Sequence, residues 1–273
     1  MPELPEARTI ARRLNEAIAG STIETVSLHR GDMLKLGHVD QLAAMAGQRF
    51  QRVDTRGKYV LLHWPGGRLV VQLGMSGRLM IVPGNQPIVP HTHLVIRLTD
   101  GREVRYSNVR RIASGLHILP PGRADVGPLA GLGVDAPEMS LAQFAAALSG
   151  TARAIKGVLL DQARLAGVGN IYSDEALARA GIRPTRHADR LSADQVARLY
   201  QAVLDVLRDA IAAGGSSLND ATPFVDADGQ LGYFAAHHRV YGRYGQPCKA
   251  CGQPLRRATI AGRTSTYCPR CQK

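Results

Sequence analysis

The 273-residue chain has four cysteines, all within its last 26 residues, arranged as Cys248-x2-Cys251 and Cys268-x2-Cys271 with sixteen residues between the pairs. Two C-x2-C pairs at this separation match a tetrahedral Zn2+ site of four thiolates. Such a site constrains the fold strongly, because a segment too short to bury a core folds around the ion instead. The stretch 254–267 is predicted to form a hairpin that presents Arg256, Arg257 and Arg263. With four protein ligands no coordination position stays open, so the predicted zinc is structural. The competing use of four cysteines is as free thiols or disulfides. Structural disulfides are rare in reducing compartments, and no basic-then-apolar leader opens the chain.

Charge narrows the partner. The chain holds 34 Lys+Arg against 22 Asp+Glu, a formal net charge of +12. Residues 1–135 and 136–273 each carry 17 basic and 11 acidic side chains, so each half contributes +6. The charge is therefore not a detachable basic tail, and both halves are expected to face a polyanion: DNA, RNA or an anionic membrane surface. Residues 237–273 hold eight Lys+Arg and no acid. No apolar run approaches the roughly 18 residues that a membrane span needs, so no membrane span is expected. At 45% hydrophobic and 21% charged residues, the composition is that of a globular chain.

The patterning predicts an α+β protein. A helix over 7–18 follows from Ala7, Ile10, Ala11, Leu14, Ala17 and Ile18 at helical spacing, with Pro5 in the first turn and Gly20 at the stop. Strands are predicted at 22–29, 49–53, 59–64, 68–73, 94–98 and 103–106, punctuated by Pro65-Gly66-Gly67 and Asp100-Gly101, as in an antiparallel β-sandwich. The Pro- and Gly-rich stretch near 120–140 reads as a linker. Helices are predicted at 141–148, 154–162, 171–180 and 193–213, with Gly167-Val168-Gly169-Asn170 as the break of a helix–two-turn–helix. Residues 216–234 read as a loop long enough to suggest function. The expected organisation is a sandwich domain over 2–120, a linker over 121–140, a helical domain over 141–236 and a zinc finger over 237–273.

The start, Met1-Pro2-Glu3-Leu4-Pro5-Glu6, carries candidate chemistry. Methionine before proline is normally removed, leaving a secondary amine less basic than a lysine side chain. Such an amine attacks an electrophilic sugar carbon and yields an iminium, an electron sink. Glu3 beside it is a candidate proton donor. An ordinary helix start is the plainer reading of the same six residues. Lys58 in Arg56-Gly57-Lys58, Arg110-Arg111 after a strand, and Asn170 at the helix break sit at predicted turns. There they are either solvated surface groups or contacts to consecutive phosphates.

Taken together, these motifs resemble the formamidopyrimidine-DNA glycosylase family, within the wider Fpg/endonuclease VIII superfamily. The resemblance runs the length of the chain, in order. It includes PELPE at the start, RGKYVLL at 56–62, LGMSGRL at 73–79, AIKGVLLDQ at 154–162, GVGNIYSDEAL at 167–177, VYGRYGQPC at 240–248 and the terminal finger. It implies DNA bound between a sandwich half and a helical half, with Pro2 as the nucleophile forming a Schiff base at C1′ and Glu3 as proton donor at the sugar. Lys58 would serve β-elimination and Arg263 δ-elimination. Asn170 would hold the flipped nucleotide's phosphates. His91, Arg110, Arg153 and Lys156 would contact DNA, and Met75 would fill the gap left by the extruded base. Arg110 would face the orphaned partner, and the loop ending Gly232-Tyr233-Phe234 would close over an oxidised purine. The implied protein is a monomeric, cytoplasmic, bacterial-type enzyme acting on damaged double-stranded DNA.

Four positions depart from the family pattern. Arg8 replaces an acid, Gln72 a histidine that could reach a phosphate, Val109 a proline, and Ile112 the aromatic wedge after the arginine pair. Ile112 keeps apolar volume for a wedge but offers no stacking face; its plainer reading is a core residue of the next strand. Two rival functions remain in view. An endonuclease VIII-like enzyme for oxidised pyrimidines is disfavoured by PEL where that branch has PEG, and by the long 216–234 loop. A non-catalytic zinc-finger DNA binder is disfavoured by the presence of Pro2, Glu3, Lys58 and Arg263 together.

Overall fold

The computed structural model describes residues 2–121, 126–219 and 221–273. Met1, residues 122–125 of the expected linker, and Asp220 of the expected loop lie outside the described residues. The chain divides into two compact units, Met1–Ala130 with Ala213–Tyr233, and Gly131–Ala212 with Phe234–Lys273.

The first unit opens with helix α1 (Leu4–Ile18), whose Ala7, Ile10, Ala11, Leu14 and Ile18 are buried at helical spacing. After β1 (Ile23–Leu28), β2 (Leu34–Leu36) and the short α2 (Val39–Ala43) come β3 (Arg52–Arg56), β4 (Tyr59–Trp64) and β5 (Gly67–Gln72). The strands β6 (Gly77–Pro83), β7 (Thr92–Leu98), β8 (Arg102–Asn108) and β9 (Gly115–Leu119) complete it. One sheet has the order β1-β7-β8-β6 and the other β2-β9-β5-β4-β3. Ile96 and Tyr106 of the first sheet and Leu62, Val71 and Ile118 of the second share one core with Ile10 and Leu14 of α1.

The antiparallel expectation holds at every strand pair of these sheets except one. β2 pairs with β9 in parallel, which requires a long connection between them; residues 37–114 supply it. A second difference concerns 213–233, expected in the helical domain but packed with the first unit. Ala227 is fully buried in the sandwich core and Phe224 packs against it. Ile81 N–H donates to the Ala227 carbonyl at 2.9 Å, and Arg78 Nη2 donates to the Pro223 carbonyl at 3.3 Å. Burial of those two apolar side chains overrides the segment's sequence proximity to the long helix.

The second unit contains α3 (Leu141–Leu148), α4 (Ile155–Leu159), α5 (Asn170–Ala180), α6 (Ala193–Ala212) and the hairpin β10 (Arg256–Ile260)–β11 (Arg263–Tyr267). Ser140 caps α3 reciprocally with Gln143. Helix α4 ends earlier than its sequence pattern suggests. Gln162 Nε2 donates to the Leu160 and Val168 carbonyls at 3.0 and 2.8 Å, and its Oε1 accepts from Gly167 N at 3.0 Å. That one amide holds the turns between α4 and α5. Gly181, at φ 71°, ends α5 in the left-handed region. Among the described residues no helix is long and apolar enough to cross a membrane.

Candidate active site and zinc centre

In the first unit the start of the chain is fixed by Glu6. Pro2 is buried, and Glu3 and Glu6 are 2% and 1% exposed. Glu6 Oε2 accepts from Glu3 N at 2.8 Å, and its Oε1 accepts from Ser216 N at 2.8 Å. One carboxylate thus ties the N-cap of α1 to the base of the 213–233 segment. That base is a close backbone approach, because a Cβ on Gly232 would lie 2.3 Å from the Gly215 carbonyl. Glu6 carried no distinct signal beyond its place in the opening motif. The distant partner, 210 positions away, is what reveals its role.

Lys58 stands in the two-residue turn between β3 and β4, with Arg56 paired to Tyr59. Gly57 precedes it at φ 57°, as a Gly-first hairpin turn requires. Met75, half-buried, lies between β5 and β6. Arg110 and Ile112 lie between β8 and β9, and both are exposed. At 49% exposure Ile112 is no core residue, and its neighbour Val109 is 50% exposed. His91 is exposed just before β7.

The described non-glycine residues with positive φ are His91 (65°), Arg111 (53°), Ala113 (48°) and Ala261 (49°). All four lie in segments that carry a candidate DNA-contacting side chain. Such backbone is costly and persists only where its surroundings over-determine it. Because none of the four is glycine, the sequence gives no warning of them.

In the second unit Asn170 is the first residue of α5, where backbone N–H groups favour anions. Its buried Oδ1 has no hydrogen-bond partner among the described residues. Arg153 is exposed, held by Asp161 Oδ2 at 2.7 Å and the Gly157 carbonyl at 3.0 Å. Arg263 is exposed at the start of β11. It follows a two-residue turn in which Ala261 and Gly262 both have positive φ, the geometry that matches strand twist.

Lys156 is a correction: it is not a surface contact. Its side chain is fully buried, and Nζ donates to Asp174 Oδ1 at 2.7 Å and the Thr264 carbonyl at 3.2 Å. Asp174 also accepts from Ser265 Oγ and from Thr266 N at 3.0 Å. A lysine committed to a buried carboxylate cannot reach a phosphate without abandoning that charge. Together Lys156 and Asp174 anchor the hairpin that carries Arg263. Nearby, Glu175 accepts backbone N–H groups from Arg239, Val240 and Tyr241 at 2.7, 3.0 and 2.8 Å, fixing the entry to the cysteine-bearing segment.

The ligand atoms of Cys248, Cys251, Cys268 and Cys271 all lie within 4.8 Å of one another. The Sγ pairs Cys248–Cys271 and Cys251–Cys268 are 4.0 and 3.5 Å apart. Ligands at about 2.3 Å in a tetrahedron stand about 3.8 Å apart, so the thiols fit one zinc ion. Hydrogen bonding with Cys251 pushes the Cys271 thiol up to about 12, whereas a divalent cation allows all four to ionise. The local core is only Val240, Leu255 and Cys268, with Ala178, Cys248 and Cys251 against it, too little to hold the finger without the metal.

Three family models match consecutive parts of the chain. Residues 1–114 match the formamidopyrimidine-DNA glycosylase N-terminal domain and residues 131–222 the H2TH domain of the same enzymes. Residues 245–273 match the zinc finger found in FPG and IleRS. The formamidopyrimidine-DNA glycosylase of Geobacillus kaustophilus is 39% identical over 278 residues, with all of both chains covered. The chain belongs to the formamidopyrimidine-DNA glycosylase family. Another member, from Syntrophotalea carbinolica, is 42% identical over 276 residues, again with full coverage of both. The crystal structure of the MutM (Fpg) protein of Thermus thermophilus superposes with a TM-score of 0.88 at 38% identity, covering 99% of this chain and 98% of that one. A point mutant of the Lactococcus lactis FPG, in complex with Fapy-dG-containing DNA, gives 0.90 at 28% identity with full coverage of both. This is a family of DNA-repair enzymes with a structural zinc finger, and the finger here has all four ligands.

Proposed function

We propose that this chain is a bifunctional DNA glycosylase and AP lyase that removes oxidised purines, 8-oxoguanine and formamidopyrimidines, from double-stranded DNA. The observation that carries the reading is the start of the chain. Pro2 and Glu3 are buried at the N-terminus of α1, and the Glu6 carboxylate holds the backbone there. With Met1 removed, the Pro2 amine attacks C1′ while Glu3 delivers a proton to the sugar. The C1′–base bond breaks and the base departs with the amine's proton; the C1′–O4′ bond then opens, O4′ taking the Glu3 proton, and leaves an iminium at C1′. The resulting iminium acidifies the C2′ proton, whose loss expels the 3′ phosphate; a second elimination expels the 5′ phosphate. Water then releases Pro2. Lys58 assists the first elimination and Arg263 the second, each also binding phosphate. Asn170 and Arg153 bind the backbone from the second unit, and His91, Arg110, Met75 and Ile112 engage the duplex from the first. Zinc takes no part in these steps; it folds the hairpin that carries Arg263. The working form is a monomer.

Borohydride added during reaction with an 8-oxoguanine duplex should join protein to DNA at Pro2. Peptide mapping that finds the adduct on a lysine would remove Pro2 from the mechanism. A parallel panel with an oxidised pyrimidine tests the substrate class, since preference for it would favour the endonuclease VIII-like reading.

A further inference from the structure

We propose that Asn108, acting with Ser76, is a positioning residue that pre-sets Met75, Arg110, Ile112 and His91 before DNA arrives; this rests on the DNA roles proposed for those four. Asn108 ends β8, and its side chain is fully buried. Its Nδ2 donates to the Leu73 carbonyl at 3.1 Å and to Tyr106 Oη at 3.0 Å. Its Oδ1 accepts from Ser76 Oγ at 2.7 Å and from Arg111 N at 2.8 Å. Ser76 Oγ in turn accepts from Arg110 N at 2.9 Å. The Asn108 backbone continues the network: its N–H donates to the His91 carbonyl at 3.0 Å, and its carbonyl meets His93 Nε2 at 2.9 Å.

Both amide donors and both acceptor sites of Asn108 are therefore used, and no other side chain of this size offers that set. The bonds run to three separate segments: the Met75 turn, the turn between β8 and β9 that carries Arg110 and Ile112, and the loop ending at His91. Those last two contain three of the four non-glycine residues with positive φ. The turns also meet directly, since a Cβ on Gly74 would lie 2.3 Å from the Ile112 carbonyl. Loss of the amide removes the bond to Arg111 N, and Arg111 and Ala113 relax from their costly conformations. The probing side chains must then be ordered anew at each encounter with DNA, which lowers the yield of productive encounters. The abasic-site chemistry, which uses Pro2, Lys58 and Arg263, does not pass through this network.

The test uses the full-length chain with Ser76→Ala, Ser76→Thr and Asn108→Asp. One probe is a duplex bearing a non-cleavable abasic analogue opposite 2-aminopurine, whose emission reports the state of the orphaned base. The others are an 8-oxoguanine duplex with each opposite base and a duplex with a preformed abasic site. Ser76→Ala should weaken the emission change and flatten opposite-base preference by about tenfold, the scale of one buried hydrogen bond. With the abasic duplex already bound by excess enzyme, its cleavage should stay near the wild-type rate, and Ser76→Thr, which keeps the hydroxyl, should restore both signals. Asn108→Asp lacks both donors when ionised and regains one when protonated. Its excision, taken as a ratio to that of the wild type at the same pH, should fall with rising pH. Equal loss on every substrate, or unchanged emission and preference in Ser76→Ala, would overturn the inference. Failure of the wild type to cleave an abasic site strikes the proposed function instead, and the emission arm still decides the positioning role.

Discussion

At the scale of single residues, exposure separates two uses of an apolar side chain. Ile112 and Val109 stand half in solvent on a turn between two strands, where truncation costs the fold little. Ile112→Ala should leave the melting temperature near that of the wild type and weaken discrimination of damaged from undamaged duplex. Ile112→Phe should strengthen it by no more than about the 1–3 kcal/mol of one stacked base. Calorimetry and competition binding check both; a Tm drop of several degrees in Ile112→Ala would contradict the exposed placement. Lys156 shows the opposite case. A lysine among apolar residues in AIKGVLLDQ reads as a cation available to DNA. Its partner Asp174 is 18 residues on and its second acceptor, Thr264, is 108 residues on. No local pattern reveals that such a charge is spent internally.

At the scale of elements, the hairpin β10–β11 is held from two sides, by metal at its flanks and by the Lys156–Asp174 pair at its strands. Lys156→Ala leaves an uncompensated buried carboxylate, which costs about 3–5 kcal/mol. Thermal unfolding of the variant should show that loss, whereas removal of a mere phosphate contact would leave stability alone. Cys268→Ser should release zinc, weaken DNA binding and leave the first unit folded. Zinc content by mass spectrometry and the near-ultraviolet signal of Trp64 report the two effects separately; retained affinity after confirmed zinc loss would show the finger dispensable. Legibility at this scale follows period and length. α1, α3 and α6 repeat apolar residues over two or more turns and were readable. β2 is three residues long, too short for alternation to register, and β9 is buried at every position and so does not alternate. β6 begins at a glycine inside LGMSGRL, and a glycine carries no strand signal.

For the whole molecule, the even split of positive charge between the halves of the sequence predicts a steep salt dependence to which both units contribute. Each neutralised phosphate adds about 0.9 to the slope of log affinity against log salt. On a duplex with a non-cleavable abasic analogue, Lys58→Ala in the first unit and Arg263→Ala in the second should each reduce that slope by about 0.9, and the double variant by about twice as much. Fluorescence anisotropy over a salt series measures it. A slope that responds to only one of the two would confine phosphate binding to a single unit. The candidate site was legible to a similar degree. Pro2, Glu3, Lys58, Arg263 and the four cysteines were named from motifs. The link of Glu6 to Ser216, which holds the start of the chain, and that of Asn108 to Ser76, which holds the turns carrying Met75 and Arg110, join residues 210 and 32 positions apart and exist only once the chain is folded.

The return of 213–233 to the first unit also sets an order of assembly during synthesis. The polypeptide leaves that unit after Ala130, completes Gly131–Ala212 elsewhere, and comes back with Ala227, a member of the sandwich core. A nascent chain of 130 residues therefore carries every strand of the sandwich but an unfinished interior. At about 5–20 residues per second, the missing piece follows some 5–20 s later. Through that interval only the Gly131–Ala212 part of the second unit exists, and its Phe234–Lys273 part follows later still. The Glu6 carboxylate, among the first residues made, waits for Ser216 N–H until nearly four-fifths of the protein has been translated. The geometry around Pro2 is thus among the last features of the molecule to be set, and truncated products of translation do not contain it.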